Sequence, residues 1–161
     1  MNTLTLNTQD NAIEKRRCKL QYEFSLRISV NEPSKSRWKG RVSFFGNKKG
    51  VDIIVKTQAN AIAVVEVKGV NKRNDWMIGN NGKLPTASNL FYAFVCFHGR
   101  ISELTFTADI WLIPSEKLGE LTQHVINRNG KTVYVRYSLI NNYYGDYKNT
   151  FEVLNEYLEM H

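Results

Sequence analysis

The chain has 161 residues and a formal net charge of +7, and 42% of its residues are hydrophobic. This composition is typical of one compact domain. It argues against a disordered tail, a collagen-like chain or a membrane protein, which needs an apolar run of about 18 residues. The excess of basic residues favours an anionic partner such as nucleic acid, provided that these residues cluster.

The cysteines and the first residues bear on the compartment. Cys18 and Cys96 are too few for a disulfide scaffold, and both lie in apolar-periodic segments. We therefore expect reduced, buried thiols. The first eleven residues carry neither the basic region nor the apolar region of a secretion signal. The sequence predicts a cytoplasmic protein without a membrane segment.

The first predicted element is an amphipathic helix over residues 11–30. Its apolar residues recur at roughly helical spacing among charged ones, and they are Ile13, Leu20, Phe24 and Ile28. Pro33 ends the segment, because a proline restricts the residue before it and cannot continue the hydrogen-bond ladder.

Three strands are predicted after this helix. Residues 41–46 give a strand signal, a turn follows at 47–50, and the β-rich runs 51–56 and 61–68 predict a hairpin. The apolar character of the two hairpin runs is nearly continuous. We therefore expect them in a sheet that is covered on both faces.

The signal weakens between residues 69 and 89, which are rich in Asn, Gly and Lys around Trp76. For this segment the sequence predicts a long loop or a short irregular helix. Two further buried strands are predicted at 90–97 and 108–113, where long apolar runs resume.

The C-terminal part is predicted to contain two helices with a short strand between them. Ser115 is the expected N-cap of the first helix, whose inner face would carry Leu118, Leu121 and Val125. A turn at 129–130 leads to a strand at 132–137. The second helix follows from the spacing of Phe151, Leu154, Tyr157 and Leu158.

This order of elements predicts an α/β fold. We expect a single domain over residues 1–161, with a mixed central β-sheet flanked by helices. No segment between the predicted elements has the composition of a linker to a second domain.

Three ionisable residues lie in the two most apolar strands, where an unpaired charge costs most. They are Asp52, Glu66 and Lys68. Alternation places Glu66 and Lys68 on one face of their strand. If the hairpin loop is residues 58–60, with Asn60 in the left-handed conformation, Asp52 lies opposite Glu66. A register slip of one residue would move Asp52 to the other face.

Two carboxylates in such proximity repel each other unless a cation lies between them. Oxygen ligands of this kind suit Mg²⁺ or Mn²⁺ rather than Zn²⁺, and an ammonium beside them can hold a metal-bound water. The structural alternative is a salt bridge between Lys68 and one carboxylate, while the other carboxylate caps the start of a strand after Gly50.

These residues resemble the PD-(D/E)XK nuclease superfamily. The pattern is Gly-Val-Asp52, thirteen intervening residues, and then Glu66-Val67-Lys68. A preceding helix, a three-stranded meander and a later strand ending in Ile-Pro-Ser115 are also similar. The resemblance covers about residues 11–125 and implies a restriction-endonuclease-like core. The C-terminal strand and helix at 131–160 lie outside it.

The resemblance implies roles for individual residues. Asp52, Glu66 and the main-chain carbonyl of Val67 would bind the metal ion, and Lys68 would position or activate the attacking water. Many members add a Glu from the first helix, for which Glu14 and Glu23 are candidates and Glu14 is favoured. Two features depart from the family pattern: Val51 replaces the usual Pro, and the segment after Lys68 lacks the composition of the helix that members commonly carry there.

The function that the resemblance implies is a Mg²⁺- or Mn²⁺-dependent endonuclease that hydrolyses DNA. The expected DNA contacts are cations near the strand ends and one aromatic ring that could stack on a base, namely Lys48, Lys49, Lys72, Arg73 and Trp76. Packing in the core is the alternative for Trp76. A double-strand break would require a homodimer or two sequential nicks.

Two other classes of function stay open. One is a non-catalytic nucleic-acid-binding or regulatory module that keeps the nuclease fold and binds through its basic clusters. The other is a structural or protein-interaction domain in which the three charges form a buried ion network.

Overall fold

The computed structural model describes residues 40–44, 52–57, 60–80, 84–103, 107–120, 125–128 and 132–161. The predicted first helix at 11–30 lies outside these ranges. The strands are β1 (Gly40–Phe44), β2 (Ile53–Thr57), β3 (Ile62–Val70), β4 (Trp76–Asn80), β5 (Leu90–Cys96), β6 (Asp109–Pro114), β7 (Val125–Arg128) and β8 (Thr132–Val135). The helices are α1 (Ser115–Gly119), α2 (Tyr137–Tyr143), a 3-10 turn (Gly145–Tyr147) and α3 (Glu152–Met160).

Five of the strands form a mixed sheet in the order β1-β2-β3-β5-β6. The first three pair as an antiparallel meander, β5 runs parallel to β3, and β6 is antiparallel to β5. The fold is therefore α/β with a mixed central sheet, as the sequence predicts. β4, β8 and β7 form a second, antiparallel sheet.

The two faces of the five-stranded sheet bury different partners. One face packs against α3, whose Leu154 and Leu158 are buried among the apolar residues of β2, β3, β5 and β6. The predicted final helix is thereby confirmed. On the other face, the apolar residues of β5 and β6 pack against Trp76 of β4, Val135 of β8 and the buried side of α1 and α2.

The β2–β3 hairpin has the register that the sequence predicts. Ile53 pairs with Val65 and Lys56 with Ile62, so Asp52 directly precedes the first paired residue of β2 and Glu66 directly follows its partner. Asn60 adopts a left-handed conformation with φ of 70°, as predicted for this loop. The Thr57 hydroxyl accepts a hydrogen bond from the Ala61 N–H at 3.0 Å and closes the turn.

The segment around Trp76 differs from its prediction. It is neither a loop nor a helix but strand β4, which pairs with β8 and contains an irregularity between Met77 and Gly79. Local sequence does not favour this strand, because its neighbours are Asn and Gly. Burial of Trp76 and Ile78 against β5 and β6 supplies the stabilisation instead.

Two details of the predicted helix after β6 are also wrong. Ser115 is its first helical residue rather than its cap, and the Ser115 hydroxyl instead exchanges two hydrogen bonds with the backbone of Ala87. Val125 lies in β7, because α1 ends at Gly119. Among the described residues, no helix is long and apolar enough to cross a membrane.

Candidate active site

The fold brings Asp52, Glu66 and Lys68 together, and we call these residues the triad. Ile53 and Val65 belong to the core beneath α3, so the alternating positions Asp52, Glu66 and Lys68 lie on the opposite face. Lys68 contacts Glu66, and the Asp52 carboxylate accepts a hydrogen bond from the N–H of Val67, the residue between these two. The three residues therefore lie close together on the hairpin.

Glu66 and Lys68 form an ion pair in a largely buried setting. The Lys68 Nζ lies 2.5 Å from the Glu66 Oε1. Glu66 is 7% exposed, and it is one of few buried residues with a polar or charged side chain in the described part of the chain. Burying a carboxylate is unfavourable unless a charge and hydrogen bonds compensate it, and Lys68 supplies the charge.

Asp52 is held by the backbone of β3. Its Oδ2 accepts a hydrogen bond from the Val67 N–H at 2.8 Å, and its own N–H donates to the Val65 carbonyl at 3.3 Å. The N–H and C=O of one strand residue point toward the same neighbouring strand. The Val67 carbonyl therefore faces the side on which the Asp52 carboxylate lies.

Tyr92 of β5 is the direct neighbour of Glu66 across the parallel strand pair. Its ring is completely buried, and its hydroxyl donates to the Pro85 carbonyl at 2.9 Å. Burial raises the pKa of the Tyr92 phenol, and the negative charge of Glu66 raises it further. Tyr92 therefore stays protonated and also fixes the segment that leads into β5.

The oxygen donors of the triad fit a hard divalent cation. Each carboxylate has one oxygen, Oδ1 of Asp52 and Oε2 of Glu66, that accepts no hydrogen bond from a described residue. The described residues contain no group of three or more His, Cys, Asp or Glu that could hold a metal ion. The two carboxylates thus complete the coordination that Mg²⁺ needs only with a main-chain carbonyl and water, an arrangement that Mg²⁺ accepts.

The same contacts are those of the structural alternative. Lys68 pairs with Glu66. The Asp52 carboxylate, just before β2, accepts a hydrogen bond from a backbone N–H of β3 and so caps the strand pair. The arrangement can therefore act as an ion pair with a strand cap or as a cation site. Binding of a divalent metal ion distinguishes the two.

The remaining residues of the predicted site fall into three groups. Glu14, Glu23, Lys48 and Lys49 lie outside the described residues. Lys72 and Arg73 are exposed just beyond β3. Stacking of Trp76 on a base is contradicted, because Trp76 is 1% exposed, its Nε1 donates to the Val95 carbonyl and its ring packs against Phe94.

The structure contains a second group of charged residues that the sequence did not indicate. We call it the His98 cluster, and its members are Arg73, His98, Asp109 and Lys148. The Asp109 Oδ2 lies 2.7 Å from the His98 Nε2 and 2.9 Å from the Lys148 Nζ. These residues have no motif spacing. The one signal in the sequence is the position of His98 and Asp109 at the ends of two buried strands.

Comparison with known proteins adds nothing to these observations: no family model, curated protein or solved structure matches the chain.

Proposed function

We propose that the protein is a metal-dependent endonuclease of the PD-(D/E)XK type that hydrolyses DNA phosphodiester bonds. The observation that carries the proposal is the set of contacts at the start of β2, where the Asp52 carboxylate accepts a hydrogen bond from the Val67 N–H and Lys68 pairs with Glu66. The meander β1-β2-β3 with the parallel neighbour β5 supports a restriction-endonuclease-like core.

Each residue of the triad has a distinct role in this reaction. Asp52, Glu66 and the Val67 carbonyl would hold Mg²⁺ or Mn²⁺, and the ion would supply stabilisation of the charge on the scissile phosphate. Lys68 orients the attacking water and places its ammonium beside the developing negative charge. Water adds to phosphorus and gives up one proton, the bond to the leaving oxygen breaks, and the leaving oxygen takes up a proton.

The burial of Glu66 argues against a purely structural role for the triad. An apolar pair at these positions would stabilise a sheet at least as well as a buried ion pair, because desolvation offsets the attraction between the charges. A module that binds nucleic acid without cleaving it would place its charges on the surface. The triad instead occupies the interior strands of the sheet, with Asp52 and Lys68 half-buried.

The free thiol of the buried Cys96 supports the cytoplasmic location that we propose for this activity. A single triad cleaves one strand at a time, so a double-strand break by this protein takes a homodimer or two successive nicks.

The test is cleavage of supercoiled plasmid, linear duplex, single-stranded DNA and RNA, each with Mg²⁺, Mn²⁺ or EDTA. The expected result is nicking of plasmid DNA with either metal and none in EDTA. Glu66→Gln should be inactive, whereas Glu116→Gln, which removes an exposed carboxylate of α1, should cleave like the wild type. Equal cleavage in EDTA, or by Glu66→Gln, would refute the proposal.

A further inference from the structure

The His98 cluster lies at the edge of the sheet where its two parallel strands end. β3 ends at Val70 and β5 ends at Cys96, and these two residues pair in register. Arg73 follows β3 and His98 follows β5, so both residues lie at the same edge of the sheet. Ligands of α/β sheets commonly bind at the carboxyl ends of the parallel strands.

Lys148 reaches this edge from a third segment. It forms an isolated bridge with Trp111 of β6, and the next residue, Asn149, exchanges backbone and side-chain hydrogen bonds with Ile110. The Lys148 Nζ lies 5.1 Å from the centre of the Trp111 ring. The ring face attracts a cation, so Lys148 is held in place at two points.

Asp109 is the shared partner of His98 and Lys148. Burial alone would raise the pKa of its carboxyl, but hydrogen bonds from Lys148 and His98 outweigh burial and hold the pKa below its ordinary value. Asp109 therefore stays ionised. Its Oδ2 accepts from both partners, and the Asn149 amide donates to its Oδ1 at 3.5 Å.

Arg73 completes the group through His98. Its Nε donates to the His98 Nδ1 at 3.5 Å, and the His98 Nε2 lies 2.7 Å from the Asp109 Oδ2. The Arg73 guanidinium lies 5.9 Å from the centre of the Tyr137 ring. This contact orients the guanidinium group. Among the described residues, no carboxylate forms a salt bridge with it.

The charge of the cluster is positive. Asp109 supplies one negative charge against the two positive charges of Arg73 and Lys148, and the exposed Lys72 adjoins Arg73. Arg100, the other cation near this edge, pairs instead with Glu103. The Arg73 guanidinium and the Lys148 ammonium, which are linked through His98 and Asp109, are both donors that suit a phosphate group.

His98 is held in an unfavourable backbone conformation, with φ of 50°, and Gly99 follows with φ of 83°. A left-handed conformation at a residue other than Gly costs about 1–3 kcal/mol and is retained where the surrounding structure requires it. Here the conformation turns the chain at the end of β5, where the imidazole links Arg73 to Asp109.

The cluster lies beyond the ends of β3 and β5, a few residues after Lys68. Lys68 pairs with Phe94, and His98 follows Phe94 by four residues. From strand rise and strand spacing, the cluster is roughly 10–15 Å from Lys68. Phosphates of one DNA strand follow one another every ~3.4 Å along the helix axis, so a bound strand spans this interval in a few nucleotides.

We propose that Arg73, His98 and Lys148 form a phosphate subsite that binds the DNA backbone a few nucleotides from the bond cleaved at the triad. This inference rests on the proposed nuclease function, since the triad defines where the scissile phosphate lies. Arg73 and Lys148 contact the phosphate, and His98 and Asp109 position them.

The test is the affinity of the protein for a fluorescent DNA duplex, measured by anisotropy in Ca²⁺ at several salt concentrations. Arg73→Gln and Lys148→Gln should each weaken binding about eightfold at 0.1 M salt and reduce the slope of log K against log salt by about 0.9, the effect of one lost phosphate contact. Arg73→Lys should recover part of the lost affinity.

Lys117→Gln is the matched control, because Lys117 is also a lysine paired to a carboxylate, Glu120, but lies on α1. It should bind like the wild type. If Lys148→Gln proves unfolded by circular dichroism, the exposed Arg73 still decides the outcome. Wild-type affinity and slope in Arg73→Gln would overturn the subsite.

Plasmid cleavage measured on the same samples separates this inference from the nuclease proposal. Normal cleavage together with unchanged DNA binding by the variants overturns the subsite and leaves the nuclease standing. Loss of DNA binding in the variants of a wild-type protein that cleaves no substrate supports a phosphate-binding surface and overturns the nuclease.

Discussion

The β2–β3 hairpin carries two faces of opposite character. On the face toward α3, Ile53, Val55, Ala63 and Val65 are at most 1% exposed and pack against the buried leucines of that helix. The other face carries the triad at the same level of the sheet. One face contributes burial and stability, whereas the other retains charges that burial disfavours. The contrast separates residues that hold the fold from residues that we assign to chemistry.

The largest expected effect is on the charged face. Asp52→Asn and Glu66→Gln keep the shape of each side chain but remove its negative charge, so cleavage should fall at least ~10³-fold, or about 4 kcal/mol of transition-state stabilisation. Circular dichroism should show an unchanged fold. Retained cleavage by either variant would show that the charged face is not needed for catalysis.

The apolar face should show the reverse pattern. Leu158→Ala in α3 removes a side chain that is 4% exposed, so the free energy of unfolding should fall by about 3 kcal/mol in a denaturant titration. Cleavage per folded molecule should stay unchanged. Met160→Ala, on the same helix but 73% exposed, is the control and should change stability by less than about 0.5 kcal/mol.

Lys68 tests whether the charged face acts as a unit. Lys68→Ala should slow single-turnover cleavage by about 10²-fold, since it removes one electrostatic group while both carboxylates remain. Affinity for Mn²⁺ should be retained, because the ammonium is not a ligand. Equal single-turnover rates in the variant and the wild type would make Lys68 a structural partner of Glu66.

The smallest effect concerns Asp109, away from the hairpin. The pKa of its carboxyl is lowered in the folded state, so its stabilisation is present above the pKa of the unfolded chain, about 4, and is lost as the pH falls through the folded value. Asp109→Asn should lower the free energy of unfolding by about 1 kcal/mol at pH 7. The difference from wild type should vanish in strong acid.

Asp146→Asn, which alters an exposed carboxylate after α2, serves as the control for this measurement. It should match the wild type across the pH range. A difference between Asp109→Asn and wild type that persists below pH 3 would show that packing rather than charge holds Asp109.

The strands of the central sheet and the triad were predictable because their determinants are local. Apolar runs bounded by turn residues define β2, β3, β5 and β6, and Asn60 sets the loop that fixes the hairpin register. Side-chain alternation then places Glu66 and Lys68 on one face without further information. The resemblance to the nuclease superfamily then implied a role for each of these residues.

The features that the sequence missed depend on contacts between distant segments. β4 is a strand because Trp76 packs beneath Tyr137, with ring centres 5.7 Å apart, and because β8 offers a partner. Ser115 bonds to Ala87 rather than capping its own helix. The direct contacts within the His98 cluster join residues that are 11 to 39 positions apart in the sequence, so no local pattern predicts them.

The most direct test is to measure Mn²⁺ binding in the absence of DNA by titration calorimetry or electron paramagnetic resonance. If the triad holds a metal ion, the wild type should bind Mn²⁺ at one site per chain, Asp52→Asn and Glu66→Gln should not bind it, and Glu116→Gln should bind it like the wild type. Absence of binding in the wild type, or equal binding in all four proteins, would contradict this prediction and leave the triad as an ion pair with a strand cap.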